Sequence, residues 1–441
     1  MLLIRPIQIT GWLSLVSLVF SLPANAVLWS VQPTVAGNLL YDDNRFLTVD
    51  DKESAWSASI DPTVNFSATE PDKGLSGSAA MRFRRYLTDS SNTRSNTDSK
   101  DVSLNFGANS YLNTELSTFG FNASLTRSKT NDSQLASNGA VNADSINQDA
   151  TRIVTDFGPS WSRPLNELTT ISLNYNHGSL RYTDELPNST LVESDTDVVT
   201  ASLSRGITEN IAGLVNVSYS NFRPSTNLDS TTISLLAGVS GNYNETLSGT
   251  FTVGRRMTTF DTRAQAPTGF CVGANPGSRF PDCTGGFPVA TGTRNINDEE
   301  NNNGLTFNVS LNKQLESGNL GLTATRIVTP ITTTSNNSDS GVLTTTLISV
   351  SGSHRFSDRL SSRLSVDISN REDITSNSGS ANNRKFINYN AGISWQWLPG
   401  LQLSTTYIHQ QNQTADVSGT ARGNSINFTL NYRLRGLNTS H

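Results

Sequence analysis

The chain has 441 residues, of which 35% are hydrophobic and 16% are charged, with a formal net charge of −5. Ordinary globular domains contain ~45–50% apolar and ~25% charged residues, so neutral polar residues take a larger share here. This composition excludes a helical membrane protein with several spans, a highly charged disordered chain and a basic nucleic-acid-binding surface. It remains compatible with one large closed sheet.

Residues 1–26 have the organisation of a secretory signal peptide. Arg5 supplies the positive charge, an apolar stretch follows over 7–20, and Ala24-Asn25-Ala26 has the pattern that a signal peptidase reads. The apolar stretch is too short for a membrane span, and an uncleaved anchor helix is the alternative. We therefore expect cleavage after Ala26 and export across the inner membrane.

The segment 32–46, from Gln32-Pro33 through Tyr41-Asp42-Asp43-Asn44 to Phe46, resembles the opening of a family of outer-membrane β-barrel porins. Members of that family occur beside exopolysaccharide and exosortase-type surface systems. The resemblance implies a channel or scaffold in the outer membrane of a Gram-negative bacterium, linked to polysaccharide secretion, and it supplies no catalytic residues.

From residue 27 onward, apolar and polar side chains alternate with a period of two. Leu305, Phe307, Val309 and Leu311, for example, enclose Thr306, Asn308 and Ser310. Successive side chains of a strand point to opposite faces of a sheet, so such segments predict strands with one apolar and one polar face. A soluble β-sandwich is the alternative, because it shows the same alternation.

Three features favour a transmembrane barrel. The alternating segments run to about 10–15 residues, longer than the ~5–6 of a soluble strand. Their inward positions are mostly Ser, Thr, Asn and Gly, which suits a wet lumen. Aromatic residues stand near the segment ends, where their rings suit the membrane–water boundary: Trp56, Tyr86, Trp161, Tyr243, Trp395, Trp397 and Tyr407.

Short and long connections alternate along the chain. Eight short turns, such as Leu112–Leu116 and Trp397–Leu401, place turn-forming residues between two apolar side chains. Nine longer polar segments separate them: 42–54, 88–99, 128–149, 182–196, 222–230, 260–300, 331–341, 371–384 and 410–424. These connections require about eighteen antiparallel strands with both termini on the short-turn side, which is periplasmic in outer-membrane barrels.

The predicted fold class is therefore all-β, a transmembrane antiparallel β-barrel of about eighteen strands over residues 27–434. An assembly of smaller sheets is the alternative, but no linker-like break in composition supports it. A short C-terminal tail, 435–441, follows the last alternating strand. Outer-membrane barrels commonly end on an aromatic residue that the insertion machinery reads, so this tail is a departure.

Cys271 and Cys283 are the only cysteines, and both lie in the longest polar segment. In an oxidising compartment we expect a disulfide between them. Two free thiols or a metal site are the alternatives, but the segment has no histidine and two ligands do not complete a zinc site. The Gly- and Pro-rich stretch 266–292 would either fold over or into the lumen or remain a solvated surface loop, which we favour.

Arginines supply most of the candidate pore-lining residues, which are Arg82, Arg84, Arg256, Arg363, Asp367 and Arg433. Their alternation with apolar residues places them on inward faces, where positive side chains favour anionic solutes. In the alternative interpretation, lumen arginines pair with carboxylates such as Asp156 and Asp367 and leave no net field. The neighbouring Arg85 and Arg255 complicate the assignment of faces, and they would mark the end of the lipid-facing band.

No residue pattern indicates catalysis. The histidines His177, His354, His409 and His441 lie in no hydrolase-like motif, so we expect no enzyme, no metal site and no cofactor. The sequence predicts a passive channel for anionic solutes or polysaccharide export. A barrel whose loops bind a partner or glycan is the alternative, and an outer-membrane hydrolase is a weaker one.

The expected partners follow from an outer-membrane location. They are outer-membrane lipid and lipopolysaccharide, the barrel-insertion machinery, and polysaccharide or a secretion system, with no nucleic acid.

Overall fold

The structure, a computed structural model, describes residues 27–45, 47–50, 52–87, 100–130, 150–183, 191–225, 228–272, 287–330, 342–373, 383–414 and 419–440. The first ten strands are β1 (Leu28–Asp42), β2 (Ala55–Thr69), β3 (Lys73–Tyr86), β4 (Lys100–Asn113), β5 (Thr118–Lys129), β6 (Thr151–Asn166), β7 (Thr169–Thr183), β8 (Ser194–Gly206), β9 (Ile211–Pro224) and β10 (Leu228–Asn242). The others are β11 (Leu247–Val272), β12 (Phe287–Leu315), β13 (Gly318–Pro330), β14 (Val342–Arg355), β15 (Leu360–Asp373), β16 (Arg384–Leu398), β17 (Leu401–Thr414), β18 (Ala421–Arg433) and β19 (Leu437–Ser440).

The first eighteen strands form one closed antiparallel barrel. Each strand pairs with the next along the chain, and β1 closes the sheet by pairing with β18 from Thr34↔Arg433 to Asp42↔Ser425. Closure removes the unpaired edges that an open sheet would present. The predicted fold class and strand count are confirmed. The short β19 extends the seam, because it pairs with β1 from Leu28↔Ser440 to Val31↔Leu437.

All eight predicted short turns join consecutive strands at one end of the barrel, where β1 begins and β18 ends. Their polar side chains hold the turn backbone. The Asn244 side-chain oxygen, for example, accepts hydrogen bonds from the backbone amides of Thr246 and Leu247 at 3.0 and 2.8 Å. Asn, Ser and Thr favour turns for this reason.

Three of the nine predicted long segments were wrong in extent, among them 410–424, where β17 continues to Thr414 and β18 begins at Ala421. The described parts of the segment 260–300 continue as paired backbone, because β11 and β12 pair out to Val272↔Phe287 with one register shift between Thr268 and Gly269. Likewise, β9 ends at Pro224 and β10 begins at Leu228, within the segment predicted as 222–230. A backbone ladder outside a membrane does not require alternating side chains, so the sequence pattern does not reveal such extensions. Cys283 and residues 1–26 lie outside the described residues, so the disulfide between Cys271 and Cys283 stays a prediction.

The two faces of the barrel differ in chemistry. Large apolar side chains are exposed on the outside, as shown by Ile60 at 59%, Leu305 at 56% and Leu364 at 61%. The inner positions of the same strands carry small polar residues such as Ser59, Thr306 and Ser365. The described residues include no helix long and apolar enough to cross a membrane.

Candidate functional site

The inner wall is cross-linked by polar side chains across the seam where the barrel closes. The Thr429 hydroxyl on β18 donates to the Asn38 side-chain oxygen on β1 at 2.6 Å. The Asn38 amide donates to Asp61 Oδ2 on β2 at 3.0 Å, and Arg82 Nε on β3 donates to the same oxygen at 2.9 Å. One hydrogen-bonded chain therefore connects four neighbouring strands on the lumen side.

The predicted arginines on β3 both lie on this inner face. Arg82 forms an ion pair with Asp61, and its side chain is 37% exposed. Arg84 is buried, stands opposite Asp101 in the register of β3 and β4, and donates to the Tyr86 hydroxyl at 3.4 Å. Arg82 is therefore paired with a carboxylate, as in the alternative interpretation of the lumen arginines. Its partner is Asp61, however, and not Asp156 or Asp367.

The two carboxylates predicted as arginine partners have neutral partners instead. Asp156 accepts a hydrogen bond from the Ser124 hydroxyl at 3.2 Å. Asp367 is buried and accepts from the Ser349 hydroxyl at 2.5 Å and the Asn388 amide at 3.4 Å. Each donor lies on the adjacent strand, so the strand order determines which partner is within reach.

Two predicted arginines lie at the short-turn end of the lumen. Arg363 on β15 and Arg355 on β14 line one depression of the inner wall, which also includes Glu316 in the adjoining turn. Arg433, on β18, lines a second depression together with Gln32. Arg355, Arg363 and Arg433 are all exposed, so they present their charge to the lumen.

The end of the β13–β14 hairpin leaves the barrel wall. The ladder between β12 and β13 stops at Phe307↔Arg326, whereas the ladder between β13 and β14 continues to Pro330↔Val342. Beyond Phe307, β12 pairs only with β11. A seam therefore separates β12 from β13 at the long-loop end.

Side-chain contacts show that this hairpin end lies inside the barrel. Val328 is on the face of β13 that carries the exposed Leu320 in the wall, yet it packs against Phe222 and Phe260. Phe222 and Phe260 point inward from β9 and β11 and are 5% and 2% exposed. The outer face of the hairpin end thus covers the inner face of the nearby wall formed by β9, β10 and β11, which leaves Ile327 on the lumen side at 41% exposed.

Hydrogen bonds from Arg256 on β11 also hold the hairpin end against the inner wall. Its Nη2 donates to the Thr344 hydroxyl on β14 at 2.6 Å, and its Nη1 donates to the Thr258 hydroxyl at 3.1 Å. The guanidinium crosses Gly304 on β12, where a Cβ would lie 2.8 Å from Nη2. Arg256 is 3% exposed and its Nε has no partner among the described residues, so this predicted pore residue lies beneath the hairpin end.

At the long-loop end, two connecting segments place a side chain inside the barrel. Arg45, in the connection after β1, places its guanidinium carbon 3.7 Å from the ring centre of Tyr86. Leu191, just before β8, packs with Leu180 and Tyr182 on the inner face of β7. Tyr86 therefore lies on the lumen face, and its predicted place at the membrane boundary was wrong because β3 alternates Arg82, Arg84 and Tyr86 inward.

The histidines that the structure describes lie on the outer face. His177 Nδ1 is 2.8 Å from Asp197 Oδ1 near the long-loop end, and His409 Nδ1 is 2.8 Å from the Asn424 side-chain oxygen. His354 packs against Phe356 at the short-turn end. Within the described ranges, no three His, Cys, Asp or Glu side chains are grouped as a metal site requires.

No family model matches the chain, and no curated protein matches it. The outer membrane protein opdK from Pseudomonas aeruginosa is 10% identical, with 92% of this chain and 99% of that chain covered and a TM-score of 0.41. OccAB3 from Acinetobacter baumannii is 10% identical, with 93% and 99% covered and a TM-score of 0.43. OpdQ from P. aeruginosa is 12% identical, with 92% and 97% covered and a TM-score of 0.42.

Proposed function

We propose that this protein is a passive, water-filled channel in the outer membrane of a Gram-negative bacterium and that it favours small anionic solutes. The observation that carries the proposal is a closed eighteen-stranded barrel with an apolar outside and a polar inside. Barrels of 16–18 strands are wide enough to enclose an aqueous channel.

Aromatic side chains at both ends support the membrane placement. Trp395 and Trp397 stack on the outer face near the short turns, with ring centroids 6.2 Å apart. Tyr41 and Trp56 pack together at the opposite end, with centroids 4.8 Å apart. Rings with one apolar and one polar edge are favoured at the two boundaries of a bilayer.

The charges at the short-turn end support a preference for anions. Arg355, Arg363 and Arg433 form no ion pair with any described residue. Exposed and unpaired positive groups in a narrow aqueous space attract anions and repel cations. Arg82 adds little to this field, because Asp61 neutralises it.

The inward hairpin end supports small solutes over polymers. The packing of Val328 on Phe222 and Phe260 places the ends of β13 and β14 inside the wall formed by β9 to β11, which narrows the lumen at the long-loop end. A polysaccharide chain would have to pass this obstruction, and polysaccharide export rests on the resemblance of residues 32–46 alone. The second candidate function is a barrel that only anchors loops which bind a partner or glycan. Such a barrel would show no conductance, whereas a channel would.

The test is conductance of the purified mature protein in a planar bilayer. We expect stable single-channel currents and a reversal potential on the anion-selective side under a KCl gradient. The variant R355Q/R363Q/R433Q should shift the reversal potential toward cation selectivity. The matched control, R163Q/R205Q/K313Q, removes three exposed charges from the outer face at the same end and should leave it unchanged. A folded barrel without conductance would overturn the channel, and equal shifts in both variants would overturn the lumen assignment.

A further inference from the structure

Basic side chains form a patch on the outer face of β3, β4 and β5 at the long-loop end. Arg85 is the second-last residue of β3, and Lys100, the first residue of β4, is its direct partner in the register. Arg127, near the end of β5, points to the same face and donates through Nη1 to the Val102 carbonyl at 3.0 Å. We call Arg85, Lys100 and Arg127 the outer basic patch.

The outer basic patch is compact. Directly opposed residues on neighbouring strands have Cβ atoms about 4.5–5.5 Å apart, which places Arg85 beside Lys100. The Arg127 guanidinium reaches Val102, which is the next outward residue after Lys100 and lies about 7 Å further along the strand. Three positive head groups therefore lie within about 10 Å of each other.

Charge compensation distinguishes this patch from other outward arginines at the same end. Arg181, Arg223 and Arg326 pair with the carboxylates of Asp195, Asp197 and Glu372 at 2.8, 2.5 and 2.9 Å. The three patch residues form no ion pair with any described residue, and their outward neighbours Phe83, Val102 and Leu104 are apolar. Arg255 and Arg422 are also outward and form no ion pair with a described residue, but they do not form such a cluster: Arg255 lies between Leu235 and Leu305, and Arg422 is opposite the neutral Gln411.

The patch lies where the apolar band ends. Phe83 and Val102, 48% and 41% exposed, are the next outward residues toward the middle of the barrel. Charged groups cost little at the edge of a bilayer but are expensive near its midplane. Basic groups at this height therefore meet lipid head groups on one side and water on the other.

We infer that the outer basic patch binds the phosphate groups of lipopolysaccharide in the outer leaflet. Arginine and lysine form charge-assisted hydrogen bonds with phosphate, and two arginines flanking a lysine can bind more than one phosphate oxygen. An anion also relieves the mutual repulsion of three uncompensated positive charges. The inference rests on the membrane placement proposed above. It places the contact with lipopolysaccharide on one side of the barrel, the outer face of β3, β4 and β5.

The probe is purified lipid A with two phosphates, titrated into the full mature protein in a neutral detergent. The variant R85Q/K100Q/R127Q should bind about 100-fold more weakly, since each basic group near an anionic lipid contributes about fivefold. The control R163Q/R205Q/K313Q removes the same charge from the outer face at the opposite end and should bind like the native protein. Dephosphorylated lipid A should bind the native protein as weakly as bisphosphorylated lipid A binds the patch variant.

Several results would overturn the inference. They are an unchanged affinity in the patch variant, an equal loss in the control variant, or equally tight binding of dephosphorylated lipid A. Single-channel conductance of the patch variant is measured in parallel, because it should equal that of the native protein. A native protein that binds lipid A as expected but conducts no ions would refute the channel and not the lipid site.

Discussion

The Arg256 guanidinium on β11 donates a hydrogen bond to the Thr344 hydroxyl on β14 at 2.6 Å, although two strands lie between them in the barrel order. Residues three strands apart in a wall are about 14 Å apart, since neighbouring strands are about 4.8 Å apart. The contact therefore requires one of the two strands to leave the wall. The β12–β13 ladder ends at Phe307↔Arg326, whereas β14 stays paired with β15 to Leu343↔Asp373, so the wall opens between β12 and β13. The contacts of Val328 and Thr344 place the ends of β13 and β14 on the inner side of this opening.

Val328→Ala should loosen the hairpin end from the inner wall. The substitution removes the methyl groups that pack against Phe222 and Phe260, and lost apolar packing weakens the contact. We expect more current noise and a larger single-channel conductance, because the hairpin end is held less firmly against the inner face of β9 to β11.

Ile327→Ala is the matched control for this variant. It removes apolar side-chain atoms one residue away, on the opposite face, where the native side chain is already 41% exposed. Circular dichroism and the heat-modifiability of both variants on gels verify that the barrel is intact. Equal conductance in the two variants would contradict an inward-packed hairpin.

Thr344→Val should destabilise the barrel through Arg256. The substitution keeps the shape of the side chain but removes the acceptor of Nη2, so the guanidinium loses one of its two hydroxyl partners. An unsatisfied buried charged donor costs at least about 1–3 kcal/mol of unfolding free energy. Urea unfolding in detergent measures the difference.

Thr200→Val serves as the comparison for this effect. Thr200 is an inward residue of β8 that makes no side-chain hydrogen bond with any described residue. Removal of the Thr200 hydroxyl should change the unfolding free energy by less than about 0.5 kcal/mol. Gly304→Ala should resemble Thr344→Val, because the added methyl group displaces the guanidinium.

The strand count and the closed barrel could be predicted because both depend on local patterns. Alternation over ten or more residues indicates a face, and a turn such as 243–246 needs only its own side chains to form. The inner position of Arg82 follows from the same local rule. Its partner Asp61 does not, because that contact depends on which strand lies beside β3 and in which register.

The hairpin end could not be predicted for a further reason. Val328 and Phe222 are distant in sequence, and the face that Val328 occupies has the same alternation as the outward face of the wall. Nothing local distinguishes an apolar residue that meets lipid from one that meets another part of the barrel. Tyr86 presents the same difficulty. An aromatic ring at a strand end fits the membrane boundary, but it fits equally well inside the lumen beneath a side chain such as Arg45.

Asp61→Asn should make the channel more anion-selective. The substitution leaves Arg82 on the inner wall without its ion-pair partner, so the lumen gains one uncompensated positive charge. Arg82→Gln should have the opposite effect, because it leaves Asp61 unpaired. Reversal potentials under a KCl gradient measure both shifts.

The double variant D61N/R82Q tests whether the pair acts as a neutral unit. It removes one charge of each sign and should restore the native reversal potential. Arg82 would face away from the conducting path if neither single variant changed the selectivity. The stability changes should be small, because the Arg82 side chain is 37% exposed.

Gly77→Ala should destabilise the barrel far more than Gly37→Ala, although both glycines lie within strands. A Cβ on Gly77 would lie 2.5 Å from the Phe66 ring and would clash with the Gly107 carbonyl oxygen, whereas nothing lies within 4 Å of one on Gly37. Overpacking of this kind costs about 1–3 kcal/mol, against less than about 0.5 kcal/mol at the open site. Urea unfolding of the two variants in the same detergent measures the contrast. Phe66→Leu in the Gly77→Ala background should recover only part of the loss, because the ring can give way but the carbonyl belongs to the ladder. Full recovery of the unfolding free energy would show that only the Phe66 ring, and not the Gly107 carbonyl, opposes the added methyl group.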